Sequence, residues 1–121
     1  MFAPIFQVCA ASAAVTAVLG LSPVRFYPFG EAPQDGAKPY AVWQSIGGSP
    51  ENYLGDVPDV DTFGLQIDCY AESAQQCRDI AQALRDAIEP HAHIVAWRGD
   101  SRDVATKLYR YSFDVDWIVT R

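Results

Sequence analysis

The chain has little positive charge and few groups suited to catalysis. Nine lysines and arginines stand against fifteen aspartates and glutamates, a formal net charge of −6. Proteins that bind nucleic acid along its grooves need a basic face to displace counterions, so this balance argues against that class. An acidic surface also serves plain solubility. The sequence contains no glycine-rich phosphate loop and no nucleophile elbow around a serine or cysteine.

Long apolar runs and cysteine modules are missing as well. The alanine-rich stretch 9–21 is too short and too weakly apolar to cross a bilayer. A secretory signal requires basic residues before its apolar run, and no lysine or arginine precedes this stretch. We expect a folded helix there and no membrane partner, with a signal peptide as the alternative. Cys9, Cys69 and Cys77 have spacings that match no metal module. We expect buried free thiols in a chain folded in a reducing cytoplasm.

The feature that is present is a polar loop between two β-prone runs. Residues 40–46 and 63–70 are rich in aromatic and β-branched side chains, and Gly47–Asp61 between them contains two prolines. This loop carries two bulky apolar residues, Tyr53 and Leu54, which gain nothing from standing in water. Loops of this kind are usually contact surfaces, so the sequence indicates assembly rather than chemistry.

Hydrophobic periodicity predicts the element order α-β-β-β-α-β-β. The alternating strand patterns and the apolar helix stripes are all satisfied by one arrangement. We predict an α+β fold, with a single mainly antiparallel sheet of about five strands and two helices packed on one face. At this length we expect one domain over residues 1–121. The predicted helices are 4–20 and 73–88, and the predicted strands are 24–27, 40–46, 63–70, 92–98 and 108–120, with a turn at 99–103.

The last predicted strand has one apolar face and one charged face. Asp114 and Asp116 project from the charged side, and Asp68 projects from the same side of another strand. If those strands pair, three carboxylates meet, which suits a cation or acid–base site. The simpler interpretation is a solvated face with Arg110 as the counter-charge. Such a face, which also includes Arg98, can set the register between copies of a subunit.

His91 and His93 stand two residues apart at the start of a predicted strand, with Asp100 and Asp103 not far along the chain. A metal site needs at least three converging ligands and an oriented second layer of partners, and this set supplies about half of that. We therefore predict solvent-facing histidines, no metal and no cofactor.

Three segments resemble the small tail-completion, or tail-terminator, proteins of long-tailed bacteriophages. One runs from Val18-Leu19-Gly20 into Val24-Arg25-Phe26-Tyr27-Pro28 and on through the polar loop to Lys38-Pro39-Tyr40-Ala41-Val42-Trp43-Gln44. Another is Gly48-Ser49-Pro50-Glu51-Asn52-Tyr53-Leu54-Gly55-Asp56 with Phe63-Gly64-Leu65-Gln66-Ile67-Asp68-Cys69-Tyr70. The third is the helix 73–88 with a last strand ending in aromatic and acidic residues. The resemblance covers nearly the whole chain, and none of these segments is a catalytic signature.

The resemblance implies a structural virion protein and not an enzyme. It implies a homo-oligomeric ring, usually a hexamer, on the last ring of the tail tube, where it ends tube polymerisation and offers a docking surface to the head–tail connector protein. The expected location is the head-proximal end of the virion tail, after synthesis in the cytoplasm of the bacterial host. The alternatives are a head–tail connector of the same particle, or a small-ligand-binding α+β domain.

Physical reasoning adds residues to this expectation. The two long loops, Phe29–Lys38 and Gly47–Asp61, are large for so small a domain, and loops of this length tend to be functional. We predict that Trp43, Tyr53, Leu54, Arg98 and Arg110 lie at a subunit or tube interface. DNA must slide through such a ring without specific binding, and an acidic wall would repel its phosphates. The predicted lumen-facing acids are Glu51, Asp56, Asp59 and Asp61.

Overall fold

The computed structural model describes residues 2–34, 36–52 and 55–121. Within these ranges the chain forms three helices and one five-stranded sheet. The sheet order is β1-β2-β3-β5-β4, with β1 parallel to β2 and every other neighbouring pair antiparallel. The predicted α+β class is confirmed, and the parallel β1 makes the sheet mixed. The elements are α1 (Ile5–Ala10), α2 (Ala13–Leu19), β1 (Phe26–Pro28), β2 (Tyr40–Pro50), β3 (Val60–Ala71), α3 (Ala74–Ile88), β4 (His93–Arg102) and β5 (Tyr109–Thr120).

The helices cover one face of the sheet, and the core lies between the two layers. Side chains from all three helices join those of β3 and β5 in one buried cluster. Burying each large aliphatic or aromatic side chain contributes about 1.5–3 kcal/mol, so this interface is the main stabilising contact of the fold. The largest fully buried side chains include Ile5, Leu19, Ile67, Ile80, Leu84, Ile88 and Phe113.

Helix α3 forms as its sequence predicts. The Ser73 hydroxyl accepts a hydrogen bond from the backbone N–H of Gln76 at 3.1 Å, which satisfies one of the free donors of the first turn. The predicted stripe of Cys77, Ile80, Leu84 and Ile88 is buried. The helix ends at Ile88, with Glu89 as its C-cap and Pro90 directly after that residue.

The prediction of one continuous N-terminal helix is wrong. The chain breaks between α1 and α2, because Ser12 adopts an extended conformation and its hydroxyl accepts from the Val15 N–H at 3.4 Å. Ser12 therefore caps a second helix and does not continue the first. The predicted apolar stripe survives the break, since Ile5 and Cys9 of α1 and Val15 and Leu19 of α2 are all buried.

The strands extend into segments that the sequence predicts as a loop and as a turn. Gly47–Pro50 belongs to β2 and Val60–Asp61 to β3, so the connection between them is 51–59. A bulge between Ser45 and Gly47 shifts the register. At Gly48 (φ +152°) a Cβ would lie 2.5 Å from the Thr62 carbonyl oxygen, so the close approach of the two strands requires glycine there. Similarly, the segment 99–102, predicted as part of a turn, pairs with β5 as the end of β4.

The expectation of buried free thiols is confirmed. Cys9, Cys69 and Cys77 are free and buried, and burial raises the pKa of the Cys9 thiol to about 12. Thiols held protonated in this way are poor nucleophiles. Among the residues that the structure describes, no helix is long and apolar enough to cross a membrane.

Candidate assembly interface

The sheet face opposite the helices carries a carboxylate that is almost fully covered. Asp68 on β3 lies opposite Ser112 on β5, and its Oδ1 accepts hydrogen bonds from the Ser112 hydroxyl and from Arg110 Nη2 at 2.9 Å. Gln66 Nε2 donates to the same oxygen at 3.2 Å. Only 6% of Asp68 is exposed. The predicted role of Arg110 as a counter-charge on this face is confirmed by that contact.

A second ion pair covers the neighbouring carboxylate. Arg98 on β4 donates from Nε to Asp114 at 2.9 Å, and its Nη2 lies 2.7 Å from Oδ2, so two nitrogens of the planar guanidinium face the carboxylate. Asp68 and Asp114 are thus each neutralised by an arginine of their own, and they do not form one site with Asp116. Within the described ranges, no group of three or more histidine, cysteine or acidic side chains is placed to hold a metal ion.

The predicted acidic residues divide into two kinds. Glu51, Asp56 and Asp59 are exposed on the connection between β2 and β3. Asp61 is a strand residue, 9% exposed, and Arg121 Nε donates to it at 2.9 Å. The hydrogen bond from Arg121 holds the pKa of the Asp61 carboxyl below its ordinary value, against the opposing effect of desolvation. The first three acids therefore remain open to a neighbour or to a lumen, whereas the charge of Asp61 is already balanced.

Of the predicted apolar contacts, Trp43 lies in the described part of the chain and is less accessible than the sequence indicates. Tyr53 and Leu54 lie outside the described residues. Trp43 is half-buried and packs on Phe26, with ring centroids 4.7 Å apart, while Phe6 covers it from α1 at 6.1 Å. A role for Trp43 at an interface stays a prediction, as it does for Arg98 and Arg110.

The structure reveals an exposed aromatic residue on the edge strand that the sequence analysis missed. Trp97 on β4 is 48% exposed, although its ring packs on Phe113 at 5.2 Å. Beside it, a groove of about 440 Å³ runs between α3 and β4, lined in part by Arg78 and Arg85. The preceding Val95 is 53% exposed. The signal for Trp97 in the sequence was the apolar composition of 94–97, which predicts a strand but does not indicate that this strand lies at an edge of the sheet.

A second groove, of about 500 Å³, lies near the edge of the sheet opposite β4. It is bordered by the distal part of the β2–β3 hairpin, and its lining includes Gly48, Pro50 and Phe63. The two histidines contribute to neither groove: His91 stacks on Trp117, with centroids 6.4 Å apart, and His93 is exposed at the start of β4.

Comparison with known proteins places this fold in a family. The model of the family "Tail completion protein gp17" matches residues 3–120. The chain belongs to the tail completion protein gp17 family. It is therefore a structural protein of the bacteriophage virion, located in the tail, and the resemblance seen in the sequence is confirmed.

A solved structure supports the fold of this tail completion protein. A chain in the virion of a native gene transfer agent (GTA) particle matches with a TM-score of 0.65 at 15% sequence identity. The match covers 97% of this chain and 92% of the other. At that identity the likeness establishes a shared fold. A comparison with curated proteins gives no match.

Proposed function

We propose that this tail completion protein forms a ring that caps the head-proximal end of the tail tube, with six copies as the resemblance implies. The ring would stop tube polymerisation and present its other face to the head–tail connector. The observation that carries the proposal is the family match over residues 3–120. We also propose that residues 1–121 act as a single domain, since helices from both halves of the chain share one core.

The two edges of the sheet favour a ring over a two-fold dimer. One edge is the ten-residue strand β4, and the other is the three-residue β1 beside the long β2. Unlike edges favour a head-to-tail contact, and such contacts close into a ring when the rotation per copy closes. Within this ring we keep Trp43, Arg98 and Arg110 as candidate contacts.

The connection between β2 and β3 is the proposed lining of the channel. Glu51, Asp56 and Asp59 are exposed there, and six copies would place many like charges around the passage. A wall of that sign repels DNA phosphates, so the genome can slide without binding. Asp61 would contribute less than the other three, because Arg121 neutralises it.

A role without catalysis or a cofactor fits the chemistry of the described residues. The buried carboxylates of Asp68 and Asp114 are each held by an arginine, and desolvation raises the pKa values of Cys9 and Cys77 to about 12 and about 11. Catalytic groups usually have a pKa tuned toward the working pH, and these thiols are shifted away from it.

The test is to add the purified protein to tail tubes during their polymerisation. We expect negative-stain images to show a ring at one end of each tube, and tube growth to stop at a stoichiometry of one ring per tube. Native mass spectrometry at high protein concentration then gives the number of copies. A protein that stays monomeric even with tubes present, or that leaves tube length unchanged, would contradict the proposal.

The alternatives predict different results in the same experiment. A head–tail connector would form a ring but would leave tube elongation unaffected. A ligand-binding domain would remain monomeric and would gain several degrees of thermal stability from one small molecule, an effect that Asp68→Ala or Asp114→Ala should abolish.

A further inference from the structure

Both edges of the sheet have backbone N–H and C=O groups that can pair with another strand. β4 has one neighbour, β5, so its other edge is open along His93–Arg102. On the opposite side, β1 pairs with β2 only at Ala41–Trp43, so β2 from Gln44 to Pro50 has β3 alone as a neighbour. Among the described residues, no loop or helix backbone bonds to either open edge. Open edges of this length are templates for pairing with another chain.

The directions of the two open strands match. Because β2 and β5 both run antiparallel to β3, and β4 runs antiparallel to β5, β4 and β2 point in opposite directions within one copy. Copies in a ring share their orientation about the axis. The β4 of one copy therefore meets the β2 of the next as an antiparallel pair, without any change in the fold.

The length of β1 selects the register. Since β1 occupies β2 at Ala41–Trp43, an incoming β4 must begin its pairing near Gln44 and extend toward the hairpin tip. Placing Ser101, the residue before the end of β4, opposite Gln44 brings Trp97 to the level of Gly48. Strands in closed sheets are tilted and staggered, so such an offset is compatible with a ring.

The side chains of this register are complementary. Trp97 pairs with Phe113 on the helix side of the sheet, and Gly48 pairs with Phe63 on the same side. The half-exposed indole would thus lie over a position that cannot carry a side chain, in the groove bordered by Pro50 and Phe63.

The charges beside Trp97 are paired within the subunit, Arg78 with Asp100 at 2.9 Å and Arg85 with Asp86 at 2.8 Å. The contact therefore depends on backbone pairing and on the fit of Trp97, and not on charge.

We propose that β4 of one copy pairs with Gln44–Pro50 of β2 in the next copy, with Trp97 covering Gly48. The partner is a second copy of this chain, and the inference rests on the proposed ring. The contact joins the sheets of neighbouring copies and leaves β1 at its border.

Engineered cysteines test the pairing, because the native thiols are buried and react slowly with maleimides. Ser49 and Ala96 face the helix-free side and fall opposite each other in this register. The variant Ser49→Cys/Ala96→Cys, treated with a short bis-maleimide under conditions where rings form, should give a ladder of covalent oligomers ending at the full ring. Each single variant should remain uncross-linked, and a mixture of the two should give dimers only.

Matched pairs of positions test the register itself. Gln44→Cys/Ser101→Cys should cross-link like the first pair, and it serves as the second test if the first variant folds poorly. Ser49→Cys/Ser101→Cys combines the same residues in a mismatched pair, five residues out of register and about 17 Å apart at about 3.4 Å per residue, so it should not cross-link.

The outcomes separate this inference from the proposed function. Rings that form without a ladder in either matched pair overturn the inference and leave the proposed function standing. Ala96→Cys linking to itself overturns it also, because that result requires two β4 strands to meet. If no ring forms with or without tubes, both proposals fail.

Discussion

The ion pair between Arg110 and the covered carboxylate of Asp68 gives the most direct test of what stabilises the helix-free face of the sheet. The variant Arg110→Ala removes the main partner of Asp68 and leaves a charge that is 6% exposed. Breaking a fully buried ion pair costs about 3–5 kcal/mol, but the Arg110 side chain is 37% exposed, so we lower the expected loss to about 2 kcal/mol. For a domain of this length that loss is about 8 °C in Tm.

Urea unfolding of the monomer at neutral pH measures the change. Adding Asp68→Asn to Arg110→Ala should restore part of the lost free energy of unfolding, because the double variant no longer buries an uncompensated charge. The two single costs would then exceed the cost of the double variant by about 1 kcal/mol or more. Arg110→Lys keeps the charge but loses the second donor, Arg110 Nε, which lies 3.2 Å from the same oxygen of Asp68, so the stability of this variant should be intermediate.

Two results would refute this reasoning. The first is a free energy of unfolding for Arg110→Ala within about 0.5 kcal/mol of the wild type, the range of an ordinary surface substitution. The second is simple addition of the costs of Arg110→Ala and Asp68→Asn, which would mean that the two residues do not interact. If the stability loss is found and ring formation of the folded variant is unchanged, Arg110 acts within the subunit and not at an interface.

Three further predictions follow from other contacts. Ser73→Ala should cost about 1 kcal/mol in urea unfolding, because it removes the cap of α3, whereas Ser101→Ala on the open edge should be nearly neutral. The pKa of Asp61 is lowered in the folded state, so its contribution to stability is complete above its unfolded pKa and is lost as the pH falls through the lower folded pKa. Asp61→Asn should therefore flatten the acid side of a Tm–pH curve. An unchanged slope there would contradict the ion pair between Asp61 and Arg121. Asp56→Lys/Asp59→Lys should make assembled rings retain DNA at low salt and release it at high salt in a filter-binding assay, while wild-type rings retain none; equal retention would exclude these acids from the channel wall.

Local patterns in the sequence predicted the elements whose signals agree with each other. In α3 the Ser73 cap, the apolar stripe and Pro90 all indicate the same helix, and the observed Ala74–Ile88 agrees with the prediction. In β5 the alternation correctly places Phe113, Val115 and Trp117 in the core. These features depend on residues close along the chain, so no knowledge of the neighbours was needed.

Of the predictions that failed, the loop at 47–50 depends on a partner far along the chain and the N-terminal helix on a local cap. Gly47 and Gly48 suggest a turn, yet pairing with β3 holds them in a strand, and Gly48 is suited to that place because of its distance to Thr62. The break at Ser12 had a local signal, since serine is a favoured N-cap, but the continuous apolar stripe outweighed it.

The candidate interface shows the same division between local and distant information. The composition of 94–97 predicts a strand, but only the order of strands in the sheet places Trp97 at an open edge. The charged alternation in β5 predicts a wet face, but only the pairing of β3, β5 and β4 shows that Arg110 and Arg98 cover Asp68 and Asp114. The open backbone of β4 and of the distal half of β2 has no backbone partner among the described residues. Assembly through the edges of the sheet therefore uses donors and acceptors that the subunit leaves to water, whereas Arg98 and Arg110 can reach a neighbour only through the exposed parts of side chains that are already paired.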